Sequence, residues 1–262
     1  MGILGKLFEK KECVICGAEI GLLGNRKLED GNMCKKCAEK LSPWFSDRRS
    51  STVEEIKEQL DYREANREKV AAFRITRTLG ENTKILLDED AGVFMVTSAR
   101  DLEEANPDVL AFSDVTGCNL DIDERKVEIK REVKKPGGTT EEVSYHPPRY
   151  NYEYDFYVVI HVRNTYFDEI RFKLNRSTVE VEPTQQMGSF STTQPEQDVE
   201  YRRYKETGEE IKGILLQIRQ ETRDVAAAAA APKAAVTCPY CGATTTPDAS
   251  GCCEFCGGAV SN

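Results

Sequence analysis

Four Cys-x2-Cys pairs dominate the chemistry available to this chain: Cys13/Cys16, Cys34/Cys37, Cys238/Cys241 and Cys253/Cys256. The first two pairs are separated by 17 residues, giving C-x2-C-x17-C-x2-C. That spacing lies within the range read as a structural zinc site. A C-x2-C turn aims two thiolates at one ion, and two such turns complete a tetrahedral S4 shell at about 2.3 Å per bond. The last two pairs form the tighter C-x2-C-x11-C-x2-C. Glycine follows the second cysteine in three of the pairs, as Gly17, Gly242 and Gly257. Such a glycine suits a tight turn with positive φ. The same pattern selects Cys253 over its neighbour Cys252 as a ligand, leaving Cys252 and Cys118 spare. Cys118 lies in a strand-like stretch and reads as a small buried hydrophobe.

The expected cofactor is therefore Zn²⁺, in two structural sites. Rubredoxin-type iron, an iron–sulfur cluster and reversible disulfides compete with it, since S4 chemistry alone does not separate zinc from iron. Small modules rarely gain more than about 3–5 kcal/mol from their own cores. A structural zinc is worth about 10–16 kcal/mol in finger peptides. Cys238-Pro-Tyr-Cys241 also spells a glutaredoxin-like dithiol. That chemistry requires a βαβ support for a low-pKa thiolate. Only 21 residues follow Cys241, and they contain two more paired cysteines.

Around these modules the chain has 262 residues and a formal charge of −9, with 39% hydrophobic and 31% charged residues. The acidic balance argues against wholesale binding to nucleic-acid phosphates or anionic membranes. No apolar run reaches the roughly 20 residues of a spanning helix. The first eleven residues, MGILGKLFEKK, lack a secretory h-region, and Lys6 stands where a myristoylation motif wants Ser or Thr. The expectation is a cytoplasmic protein, whose thiols serve as metal ligands rather than staples. Ile3, Leu4, Leu7 and Phe8 share one helical face, which favours packing on the protein itself and offers a membrane anchor as the alternative.

The organisation read from the sequence is α+β, in five parts. Residues 1–50 hold the first cysteine module. Residues 51–73 form a connecting helix, announced by Ser51/Thr52 three residues before Glu54/Glu55, a capping-box spacing. Residues 74–224 form a β-rich domain with a closing helix. Its expected strands are Lys84 to Leu87, Val93 to Thr97, Val109 to Phe112, Cys118 to Ile122, Lys126 to Val133, Tyr150 to Val162, and Ile170 to Leu174. The clearest is Tyr150 to Val162, where every second position is aromatic or aliphatic. Pro183 to Pro195 reads as a loop, and Glu196 to Arg223 as a helix with Tyr204, Gly208, Ile211, Leu215 and Ile218 on one face. Residues 225–236 form an alanine-rich linker, helical at its start and stopped by Pro232. Residues 237–262 hold the second module.

Three resemblances follow from these patterns. Cys13 to Phe73 resembles a bacterial domain-of-unknown-function family with a four-cysteine module followed by a charged helix. The residues that carry the likeness include Cys13-Val-Ile-Cys16-Gly17, Gly21 to Leu28, Asp30-Gly31, and Met33 through Phe45. The resemblance implies a treble-clef-like knuckle with Cys37 opening a helix, and implies no activity. Residues 74–224 are similar in element order to bacterial PH-like (GRAM-like) domains. Residues 237–262 resemble a terminal zinc ribbon, a type mostly used for protein interaction or stabilisation.

Catalytic patterns find little support. His146 precedes Pro147-Pro148, and His161 lies opposite the apolar face of its strand; both read as surface or packing residues. Asp88/Asp90 and Asp121/Asp123 read as turn and surface acids. No G-x-S-x-G, P-loop or G-x-G-x-x-G occurs. Arg125, Lys126, Lys130, Arg131, Lys134 and Lys135 would face anionic headgroups in a PH-like reading. Interleaved Glu124, Glu128 and Glu132 favour a salt-bridged exposed strand instead. Lys35, Lys36, Lys40, Arg48 and Arg49 lie near Trp44 and Phe45, where a nucleic-acid reading starts. The cation-poor second module opposes that reading. The function expected is a non-enzymatic scaffold or adaptor with an unidentified protein partner and no small-molecule substrate. Membrane association is the first alternative and nucleic-acid binding the second.

Overall fold

The computed structural model describes residues 11–21, 23–182, 194–230, 235–248 and 251–260. The apolar Ile3/Leu4/Leu7/Phe8 face, Pro232 and nearly all of the Pro183 to Pro195 loop lie outside the described residues. The chain forms two compact units, residues 1–219 and 220–262.

The first unit begins with two small ribbons. β1 (Lys11–Glu12) pairs with β2 (Glu19–Ile20), and β3 (Asn25–Lys27) with β4 (Asn32–Cys34). A single helical turn, α1 (Lys35–Ala38), follows. The helix therefore opens at Lys35 with Cys34 as its N-cap, and Cys37 sits inside it. Ile20, Leu28, Met33, Leu41 and Ile56 form a small core here.

α2 (Val53–Ala72) starts at the expected capping box: Thr52 Oγ1 accepts from Glu55 N, and the Glu55 carboxylate accepts from Thr52 N at 2.7 Å. Asp30 Oδ1 accepts from Val53 N at 2.8 Å, tying the helix start to the β3–β4 turn. The buried face of α2 is Ile56, Gln59, Arg63, Asn66 and Val70, so three of its five positions are polar.

The main core lies between two antiparallel sheets and a long helix. β5 (Arg77–Leu79), β6 (Lys84–Asp88) and β7 (Val93–Thr97) are followed by α3 (Leu102–Ala105) and β8 (Leu110–Ala111), and the strands pair in the order β5-β6-β7-β8. β6 and β7 carry unbroken apolar runs because both sheet faces are covered. Ile85, Leu87, Phe94 and Val96 enter the main core, while Leu86 and Met95 pack with Val70 and Val109.

The second sheet is built on β9 (Val115–Lys134) and β10 (Thr140–Val162), which pair from end to end except at residues 145–148 of β10. β11 (Glu169–Lys173) and β12 (Val179–Val181) share the other edge of β10. The two strands expected over 118–122 and 126–133 are one strand, and β10 begins at Thr140, before the expected Tyr150. Their outer halves form a two-stranded arm exposed on both faces, so the alternating Val127, Ile129 and Val133 stay unburied. His146-Pro147-Pro148 sits within β10 where the register shifts between Ser144 and Arg149, the kind of irregularity at which a strand tolerates proline.

α4 (Val199–Ala230) closes the core with Tyr201, Tyr204, Ile211 and Leu215. Asp198 Oδ1 accepts from Tyr201 N at 2.9 Å and caps its start. The helix runs through the alanines to Ala230. In the second unit β13 (Val236–Thr237) pairs with β14 (Thr244–Thr245), and Cys252 bridges to Ala259.

Candidate metal centres

Three of the four cysteine turns repeat one hydrogen-bond pattern. Gly17 N donates to Cys13 O at 2.7 Å, Gly242 N to Cys238 O at 2.9 Å, and Gly257 N to Cys253 O at 2.8 Å. Each turn then closes back on its first cysteine. Cys13 N donates to Ala18 O, Cys238 N to Ala243 O, and Cys253 N to Gly258 O, all at 2.9 Å. The glycines have φ of +72°, +71° and +71°, the left-handed conformation that a side chain disfavours. The fourth pair needs no such glycine. Cys34 caps α1, its Sγ accepting from Cys37 N at 3.4 Å, and helix geometry brings the two cysteines together.

These turns gather Cys13, Cys16, Cys34 and Cys37 so that all four sulfurs lie within 4.8 Å of one another. Cys238, Cys241, Cys253 and Cys256 do the same in the second unit. Sγ atoms of Cys16 and Cys34 are 3.8 Å apart, those of Cys238 and Cys256 3.6 Å, and those of Cys241 and Cys253 3.8 Å. A tetrahedron with bonds of about 2.3 Å has edges of about 3.8 Å. A disulfide would require about 2.05 Å. Both quartets are thus compatible with metal sites whose donors are sulfur alone.

The electrostatics point the same way. Burial pushes the Cys13 thiol up, but backbone N–H groups of Cys34, Cys16 and Ile15 outweigh it and hold it down at about 6. Burial, then neighbouring sulfurs, drive Cys37 well above the usual thiol range. In the second quartet, burial opposes but the N–H groups of Cys256 and Phe255 bring Cys253 down to about 6. Cys256 receives a lowering bond from Gly258 N, yet the sulfurs of Cys238 and Cys241 push it up to about 12. Each quartet thus holds at least one thiol whose ionisation backbone N–H groups favour and one whose ionisation the neighbouring sulfurs resist. A divalent cation removes that resistance.

The spare cysteines stay outside both quartets. Cys118 is buried in the main core, and burial pushes its thiol up to about 12. The histidines do not meet: His146 is exposed at the β10 irregularity, and His161 Nδ1 lies 3.9 Å from Glu169 Oε2. Asp88 anchors the β6–β7 turn, and Asp121 and Asp123 pair with Arg171. The basic cluster lies on the β9–β10 arm, where Arg125 pairs with Glu153 at 3.1 Å and Lys135 with Glu141 at 2.7 Å. Lys126 Nζ stands 4.0 Å over the Tyr150 ring.

Sequence reasoning missed the groups that seat the first module. Arg63, Asp108 and Ser42 form a buried polar junction joining α2, the segment before β8 and the loop after α1. Their one sequence signal is on α2, where Gln59, Arg63 and Asn66 continue the helical spacing of Ile56.

Residues 11–59 match the family described as Domain of unknown function (DUF4428). No curated protein and no solved structure matches the chain.

Proposed function

We propose that this protein is a non-enzymatic, zinc-binding adaptor of the cytoplasm, in which two structural ions make small docking modules rigid. The two four-sulfur clusters carry this reading. Four thiolates fill a tetrahedral zinc and leave no position for substrate or water, so the ion staples rather than catalyses. Zinc suits an all-thiolate tetrahedral shell, and a reducing compartment keeps such thiols available.

The second module supplies a docking feature. Tyr240 and Phe255 each stand just before the second cysteine of their turn and are 72% and 69% exposed. The Tyr240 ring lies against Gly258, where an added Cβ would come within 2.6 Å of it. Aromatic residues in such positions are favoured at protein interfaces. The strands-then-helix order of residues 74–224 supports a PH-like reading of that domain.

The test is metal analysis of the purified chain combined with affinity capture from the native cell. Two zinc ions per chain are expected. A captured protein should be lost with Tyr240→Ala/Phe255→Ala while the metal content stays at two. Material without stoichiometric metal, or with its thiols paired as disulfides, overturns the reading.

A further inference from the structure

A cleft of about 260 Å³ opens beside the first metal module, between β3, α1 and the turn after α1. Arg26, Lys35 and Arg48 line it together with Glu39, Leu41 and Phe45. Two of the cations are held in place. Arg48 Nη1 donates to Lys27 O at 2.6 Å, and Arg26 Nη1 donates to Asn25 O at 3.2 Å and Leu23 O at 3.3 Å. These acceptors are neutral carbonyls. Among the described residues no ion pair joins Arg26, Arg48 or the adjacent Arg49 to a carboxylate, although the chain as a whole is acidic. Lys35 alone has a partner, Glu39 at 3.6 Å.

Arg26 and Arg48 therefore line one cleft with no carboxylate paired to either among the described residues. Burial lowers the Arg48 guanidinium, and the charges of Arg26 and Arg49 lower it further. Like charges pinned at a concave surface by backbone bonds cannot fan out to relieve their repulsion. An oxyanion between them would relieve it, and the planar guanidinium fork matches phosphate oxygens in pairs. One wall of the cleft is different in kind: Phe45 and Leu41 are apolar and suit a flat organic group. The volume is at the small end of ligand sites.

We propose that this cleft binds a phosphate monoester, its dianionic group held by Arg26 and Arg48 and its organic group laid against Phe45. The site is distinct from the sulfur clusters and independent of the adaptor reading.

Isothermal titration of the metal-loaded full chain tests it, with phenyl phosphate and inorganic phosphate as probes. Phenyl phosphate should bind saturably and at least about tenfold more tightly than inorganic phosphate, since only it reaches the aromatic wall. Arg26→Met and Arg48→Met should each weaken it about tenfold or more. Glu39→Gln removes the one carboxylate of the cleft and should tighten binding several-fold, a gain that misfolding cannot mimic. A phosphotyrosine pentapeptide run in parallel distinguishes a protein-borne ester, which binds more tightly in the peptide, from a free small molecule; both results support the chemistry. Absence of saturable binding, or affinities unchanged by Arg26→Met and Glu39→Gln, overturns it.

Discussion

Arg63 donates from Nη1 to Asp108 Oδ1 at 2.8 Å, with 7% of the arginine side chain and none of the aspartate exposed. The other carboxylate oxygen, Oδ2, accepts from Ser42 Oγ at 2.7 Å, and Arg63 Nε donates to Lys40 O at 3.2 Å. One buried ion pair thus fastens three pieces: the loop after α1, the middle of α2 and the lead-in to β8. Asn66 and Asn106 extend the junction one turn along α2. Asn66 Nδ2 donates to Asn106 Oδ1 at 2.8 Å, and Asn66 Oδ1 accepts from Val109 N at 3.0 Å.

Removing one partner of this pair leaves an uncompensated buried charge. Asp108→Ala is expected to destabilise the first unit by about 3–5 kcal/mol. Replacing both partners with apolar residues, Arg63→Met/Asp108→Leu, should recover much of that loss, because neither charge is then desolvated. Urea unfolding of Arg63→Met, Asp108→Leu and the double variant measures the coupling. A double variant as unstable as the sum of the singles contradicts the assignment.

Two glycines of α4 should respond to alanine with opposite signs. A Cβ at Gly208 would lie 2.4 Å from Leu120 Cδ1 and 3.1 Å from its Cγ, so the whole leucine must move. Overpacking of that kind costs about 1–3 kcal/mol, more than the roughly 1 kcal/mol alanine gains in a helix. A Cβ at Gly213 meets nothing within 4 Å on the exposed side. Gly213→Ala should therefore stabilise by about 0.5–1 kcal/mol and Gly208→Ala destabilise. Thermal unfolding of both variants reads the signs.

The β6–β7 turn carries an acid-sensitive contribution. Asp88 is buried and accepts from Arg74 N at 2.8 Å through Oδ2 and from Ala91 N at 3.0 Å through Oδ1. Those bonds, Arg74 first, hold its carboxyl below the usual range. A depressed folded pKa means stability present above the unfolded value, about 3.9, and lost as pH falls through the folded value. Asp88→Asn should lower the urea midpoint at pH 6, and the difference from wild type should shrink below about pH 4. A pH-independent difference contradicts this role.

The legible parts of the fold share a physical cause. Cysteine spacing and the following glycines marked both quartets because coordination imposes chemistry that few other uses require. β6 and β7 were visible as unbroken apolar runs, because both their faces are covered, and the inner half of β10 because burial of one face makes apolar residues follow the strand period. The capping box at Thr52 was visible because it is local. What escaped was polar structure with tertiary partners. The inward face of α2 carries Gln59, Arg63 and Asn66 between Ile56 and Val70, and Arg63 and Asn66 find their partners at Asn106 to Val109, far away in sequence. On the arm, Val127, Ile129 and Val133 marked the outer half of β9 as a strand, but its continuity with the 118–122 strand and the Thr140 to Arg149 half of β10 escaped, because neither face there is buried. Arg26 and Arg48 meet only once the β3–β4 ribbon and the turn after α1 are folded together.

Metal removal should separate the two modules. Among the described residues, the second has a core of Cys238, Cys253 and Val260, with Val236 packed against them. Two of those residues are themselves candidate ligands. Its fold then depends on an ion worth about 10–16 kcal/mol in comparable peptides. The first module adds Ile20, Leu28, Met33, Leu41 and Ile56, and the Arg63–Asp108 junction holds it from behind. A chelator should first release one ion per chain and bring the Cys253 amide, bonded to Gly258 O at 2.9 Å, to unprotected exchange. The Ile160 amide, in the central strand, should remain protected. Cys256→Ser should reproduce that state without chelator, leaving one ion per chain. Hydrogen exchange read by mass spectrometry, alongside metal analysis, checks both. Simultaneous loss of both ions with the main sheet would contradict a second module that depends on its own ion alone.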